Sequence, residues 1–396
     1  MTNRIKYIAL ALGLLILIVM ISDVLFVVLT PKNSQKQSVD TPQTTQNAVA
    51  YNAYIGHMRC AECHADTHKS HLTSPHSRTL TTAKASNIAT LFCGQKHFGG
   101  EDFGTFEYIC DDEGLAVSLR ERFPDRLFPL DYAFGSGKHA VTFLTLLQDK
   151  EETVAVEHRM SWFRNSSKVD VTPGQSKETP GRDMDCFGKI FRGKDMHRCF
   201  NCHITTGRIV DGRVENLTAG VHCEKCHGPG AAHASAAENG NLVEAKNSIR
   251  HGWTASEEIA MCGECHRMPQ EITSTRLKDY PNSLVRFQPV GLLQSRCYLN
   301  SSGVMKCTTC HDAHEDVHSR TAEVQVESCR KCHSTDIQKA CSAGETSKCI
   351  DCHMPAVELI PGVSFHDHWI RVRDGKSQEN KAAGDEGHSE AHSSDR

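Results

Sequence analysis

Seven times in 396 residues, two cysteines separated by two positions are followed at once by histidine. The copies are Cys60, Cys63 and His64; Cys199, Cys202 and His203; Cys223, Cys226 and His227; Cys262, Cys265 and His266; Cys307, Cys310 and His311; Cys329, Cys332 and His333; and Cys349, Cys352 and His353. Chance, at this chain's own cysteine and histidine frequencies, would supply roughly 0.05 copies of such a word. Residues three apart share one face of a helical turn. Two thiols so placed can add to the vinyl groups of one c-type haem, with the adjacent imidazole as the proximal iron ligand. The expectation is seven covalently bound c-type haems. Structural zinc also uses Cys-x-x-Cys, but it does not require histidine directly after every second cysteine.

Each iron has a second face, and histidine is in good supply to fill it. Outside the seven motifs and the C-terminal tail fifteen histidines remain. His233 and His314 stand too near their own motifs to cross to the far side of the same ring, so each is expected to serve a neighbouring haem. His76, His139 and His368 sit in short polar or aromatic contexts away from any motif and complete the expected distal set. For His57, His97, His158, His197, His222, His251, His318 and His366, surface or hydrogen-bonding roles are the simpler reading. No histidine occurs in the stretch "RMPQEITSTRLKDYPNSLVRF" after His266, which makes that haem the weakest supplied.

The elements that must carry these residues are sparse in apolar material. Hydrophobic residues are 39% and aromatics 6%, too few for a conventional core of this size unless the rings themselves are buried. Alternating segments at 103–110 and 114–120, and at 140–147 and 153–160, flank turn-prone residues and predict a small antiparallel sheet. The spacers elsewhere are short and rich in Gly, Ser and Thr. The predicted class is therefore mainly α with much coil, packed around haems, with a small antiparallel β insertion and one N-terminal transmembrane helix. Expected segments are an anchor or signal peptide at 1–30, a flexible linker at 31–50, a first haem segment at 51–90, the β-rich insertion at 91–165, a six-haem segment at 166–373 and a disordered tail at 374–396.

Residues 1–30 pair Arg4 and Lys6 with a mostly apolar run near the ~20 residues that cross a bilayer, longer than a cleavable signal usually carries. Positive charges ahead of that run place the remainder on the periplasmic side of a bacterial cytoplasmic membrane. A formal charge of −4 and the lack of any basic stretch interleaved with aromatics argue against nucleic acid as a partner. Five cysteines lie outside the motifs: Cys93, Cys110, Cys186, Cys297 and Cys341. Cys93 with Cys110, and Cys297 with Cys341, could form disulfides; buried free thiols are the alternative.

The stretches "YIGHMRCAECHADTHKSHLTSPHSRTL", "FGSGKHAVTFL", "HCEKCHGPGAAH", "CTTCHDAH" and "CIDCHMP" with "DHWI" resemble exported multihaem cytochromes of the cytochrome c-552/4 group, the tetrahaem nitrification cytochromes and, more distantly, octahaem hydroxylamine oxidoreductase. The resemblance spans most of residues 54–370 in outline. It implies closely stacked haems, with His76 and His233 as distal ligands to neighbouring rings. His71 stands where that family usually has an aromatic residue, and no motif ends in the lysine of the pentahaem nitrite reductases. Two functions follow. One is an electron carrier between a membrane quinol oxidoreductase and a periplasmic redox protein; the alternative is an oxidoreductase acting on a small nitrogen or sulfur compound at one open-faced haem.

Overall fold

The computed structural model describes residues 52–333 and 349–373. Its strand content corrects the expected class. The chain is a mixed α and β protein, with fourteen strands among the described residues. Strands β3 (Thr105–Cys110), β4 (Leu115–Ser118), β7 (Ala140–Asp149) and β8 (Glu152–Phe163) coincide with the alternating segments. They are joined by β1 (Leu80–Thr82), β2 (Lys96–Phe98), β5 (Phe128–Leu130), β6 (Tyr132–Phe134), β9 (Lys168–Val171) and β10 (Gly188–Phe191). These extra strands run three or four residues, too short for an alternation to register in sequence. No helix among the described residues is long and apolar enough to cross a membrane, and the anchor expected over residues 1–30 lies outside them.

The strands make two antiparallel sheets, one ordered β1-β6-β7-β8-β10 with β9 also on β8, the other β2-β3-β4-β5. Phe92, Phe106, Val117, Phe143, Val156 and Phe187 are buried in the core that joins them. The disulfide between Cys93 and Cys110 lies at the end of β3. This part of the chain thus has a conventional apolar core, which the whole-chain composition concealed. The motif-bearing remainder does not: its own buried cluster is Ile272, Leu284, Phe287 and Val290.

The helix Gly193–His203 follows β10 directly and carries the second motif. Met196 and Phe200, one turn apart on its buried side, pack with Leu80, Tyr132, Leu144 and Ala155 of the larger sheet. Beyond it β11 (Ile204–Val210) and β12 (Arg213–Ala219) form a hairpin. Its tip residues Asp211 and Gly212 both have positive φ, the geometry of the tight turn that Asp-Gly favours. That dipeptide was a legible signal for a hairpin which the expected class omitted. A last hairpin, β13 (Ala356–Ile360) with β14 (Val363–His366), follows the seventh motif.

A candidate multihaem site

The cysteine pairs sit on short helical turns. Cys223–His227 and Cys349–His353 are five-residue helices, Cys262 to His266 close the helix Ala255–His266, and Cys307–Thr309 is a single tight turn. All seven motifs line one cavity of about 3610 Å³. Shared among seven motifs this is about 500 Å³ each, within the roughly 300–1,000 Å³ of a small-molecule pocket. The donor set fits the implied cofactor: thiols for the ring edges and imidazoles for the metal.

Neighbouring motifs touch. Cys60 lies beside Cys223, Cys202 beside Cys265, and Cys262 beside Cys307. Burial, and then the nearby Cys262, pushes the Cys226 thiol up to about 11. Burial and then Cys329 raise Cys310, and burial and then Cys349 raise Cys329. The cysteine pairs therefore run in the order of motifs one, three, four, five, six and seven, with the second motif branching from the fourth.

Two buried glutamates fasten this series. Glu224, 4% exposed, accepts from the backbone N–H of Ile55 (2.9 Å), Gly56 (2.8 Å) and Gly230 (2.9 Å), so it ties the first motif to the third. Glu258, 2% exposed, accepts from Thr308 N (2.8 Å), Thr308 Oγ1 (2.9 Å) and Lys306 Nζ (2.9 Å), tying the fourth motif to the fifth. Sequence reasoning missed both. Glutamates inside or just before a motif carry no spacing signal, because their donors come from other segments of the chain.

With metal–imidazole bonds of roughly 2 Å on each side and ring nitrogens roughly 1 Å from their centroids, two imidazoles that held one metal ion between them would have centroids about 6 Å apart. Four motif histidines meet a second histidine ring at that separation. His64 stands 6.2 Å from His233, His227 6.2 Å from His314, His266 6.2 Å from His76 and His311 6.1 Å from His368. The partner of His266 comes from a segment 190 residues upstream, which is why its local sequence looked poorly supplied. His139 is not set against a motif histidine; its ring lies 6.1 Å from His318 and 5.0 Å from Phe365. For His203 and His353 no second imidazole stands at this distance among the described residues, and the ring beside His203 is Phe134 at 5.0 Å. His333 is at the edge of the described residues.

Backbone carbonyls orient many of these rings. A carbonyl only accepts, so Nδ1 donates from His203 to Thr79 O (2.9 Å), His227 to Arg250 O (2.8 Å), His233 to Ala245 O (2.7 Å), His353 to Arg371 O (3.0 Å) and His368 to His366 O (2.9 Å). Each bond leaves the Nε2 lone pair free for a metal. His71 is opposite: its Nε2 donates to Val221 O (2.9 Å), which uses the atom a distal ligand would need. Desolvation pulls His76 and His368 down to about 4 and lowers His203, His227, His266 and His311, favouring the neutral, metal-binding imidazole. His158 and His97 lie instead within the β core, beside Tyr108.

Residues 134–228 match the family described as cytochrome c554 and c-prime. "Multiheme cytochrome MtrA" of Shewanella baltica (strain OS185) is 24% identical over 210 residues, covering 48% of this chain and 55% of that protein. With the seven Cys-x-x-Cys-His words, these matches support a multihaem c-type cytochrome. The cytochrome spans about half the length of this curated relative. The crystal structure of outer cell wall cytochrome OcwA aligns with a TM-score of 0.48 at 14% identity, over 81% of the cytochrome and 80% of that chain.

Proposed function

We propose that the cytochrome carries seven covalent haems and passes electrons between a quinol oxidoreductase and a second redox protein in the periplasm. The carrying observation is the single cavity that all seven motifs line. When bound, the haems supply one-electron transfer between neighbouring rings. The chain's own part is to fix and desolvate them. Cysteine pairs on rigid turns set each attachment point, and Glu224 and Glu258 keep adjacent points in register. In this reading His76, His233, His314 and His368 close the second face of four irons, so those sites exchange electrons without binding substrate. His139 is proposed for the motif at Cys349 and Cys352, because Phe365, which its ring touches, lies on the hairpin that follows that motif. The disulfide between Cys93 and Cys110 accords with an extracytoplasmic setting.

One observation favours a second reading. His203 faces Phe134 and no imidazole among the described residues, on the branch beside the larger sheet. An open face there, in place of the one expected at His266, would suit an oxidoreductase acting on a small nitrogen or sulfur compound. Mass spectrometry of the mature protein, with electron paramagnetic resonance of its oxidised form, separates the readings. Seven haem additions with low-spin signals alone support the carrier; a stoichiometric high-spin ferric signal that added cyanide or imidazole converts to low-spin supports the enzyme. Fewer than seven additions overturns the haem count.

A further inference from the structure

Residues 366–373 form a strap that ends on two different motifs. Its His368 ring faces His311 of the fifth motif, while the Arg371 carbonyl accepts from Nδ1 of His353 in the seventh. At the centre of the strap is Asp367, 0% exposed. Its Oδ1 accepts from Trp369 N (2.9 Å) and from the hydroxyl of Tyr280, and its Oδ2 pairs with the guanidinium groups of Arg373 and, at 3.5 Å, Arg371. A buried carboxylate is tolerable only when its oxygens are filled in this way. The backbone on both sides is held as well. Asp367 N donates to Pro355 O (3.0 Å), and Ser295 Oγ donates to His368 O (2.8 Å) while accepting from Ile370 N (2.8 Å). Gly291 makes the close approach possible: a Cβ there would stand 2.4 Å from Tyr280 Oη and 2.6 Å from Trp369 N.

We propose that Asp367 is a positioning residue which, by folding the strap around its own carboxylate, sets the distal histidine of the fifth haem and the proximal histidine of the seventh together. The proposal rests on the pairing of His311 with His368 in the carrier reading. Burial and then the Asp367 carboxylate raise the Tyr280 hydroxyl far above its usual range, so Tyr280 stays protonated and donates. The strap follows the last motif and reaches back to helix Gln288–Leu292, so haem ligation and closure of the C-terminal segment become one event.

Electron paramagnetic resonance of the oxidised holoprotein tests it. Asp367→Asn keeps an acceptor for Trp369 N and removes the charge from both arginines; Gly291→Ala pushes the strap outward with no change of charge. Both are expected to give the high-spin ferric signal that His368→Ala gives, worth about one haem in seven, and the Asp367→Asn/His368→Ala pair is expected to add nothing at that haem. If His368→Ala itself leaves the protein low-spin, the underlying pairing fails and the proposal with it. Should His368→Ala give the signal while Asp367→Asn and Gly291→Ala stay low-spin with all haems attached, the pairing stands and the role of Asp367 is refuted. Where Asp367→Asn loads no haem, Gly291→Ala decides.

Discussion

Replacing Glu224 by Gln tests whether a buried carboxylate, and not the haems alone, holds the first and third motifs together. In the native chain Oε1 accepts from Ile55 N and Gly230 N and Oε2 from Gly56 N. A glutamine oxygen can replace Oε1, but its amide N–H then points at the Gly56 N–H, donor against donor. Flipped, it satisfies Gly56 and strands the other two. Hydrogen bonds to a charged acceptor contribute about 1.5–3 kcal/mol and neutral ones about 0.5–1.5. Losing one bond outright and weakening two comes to about 3–5 kcal/mol of local stability. Since every 1.4 kcal/mol is a factor of ten in an opening equilibrium, amide exchange at Ile55, Gly56 and Gly230 should accelerate by a factor of roughly 10² to 4 × 10³. Hydrogen–deuterium exchange followed by mass spectrometry reads these positions, with peptides from β7 and β8 as internal controls. Unchanged protection at 55–56 and 230 in a fully haem-loaded variant would show that the thioether links and iron ligands hold this junction unaided, and the argument from Glu224 would be wrong.

Three further outcomes are expected. His158 is fully enclosed, accepts from the Tyr108 hydroxyl (2.6 Å) and donates to Phe187 O (3.1 Å), and burial pulls it down to about 3; its contribution is complete above about 6.5 and is lost as pH falls towards 3, so denaturant midpoints read from Trp162 fluorescence should drop across that window, and less so in His158→Gln. Cys93→Ser opens a disulfide of sequence separation 17 and should cost about 3 kcal/mol, seen as a lower thermal midpoint of the β region with haem absorbance unchanged at ordinary temperature. His76→Ala should create a high-spin ferric signal that external imidazole abolishes; a spectrum unchanged from the parent would place the partner of His266 elsewhere.

How far the sequence could be read varied with the range of the interaction. The Asp-Gly turn between β11 and β12 was within reach, because the signal and the structure it specifies span a few residues. The short strands β6 and β10 were not, since each is defined by the longer strand beside it, and β1 is defined only by pairing with β6: Phe134 is a strand residue through its pairing with Leu80 and Thr142. Phe143 and Phe187 were countable as aromatics, but only folding placed them in one core distinct from the motif-bearing remainder. A composition averaged over the whole chain hides that division.

Covalent chemistry is local, so the seven words Cys-x-x-Cys-His by themselves specify, in the carrier reading, which atoms would attach a ring and which imidazole would lie next to it. The imidazole pairs proposed to share an iron are meetings of distant segments. His76 with His266, His368 with His311, and the turning of His71 away towards Val221 depend on how turns and hairpins bring residues tens to hundreds of positions apart to one cavity wall. Those choices belonged to the tertiary structure, because backbone carbonyls and buried carboxylates supplied from elsewhere in the chain orient each ring.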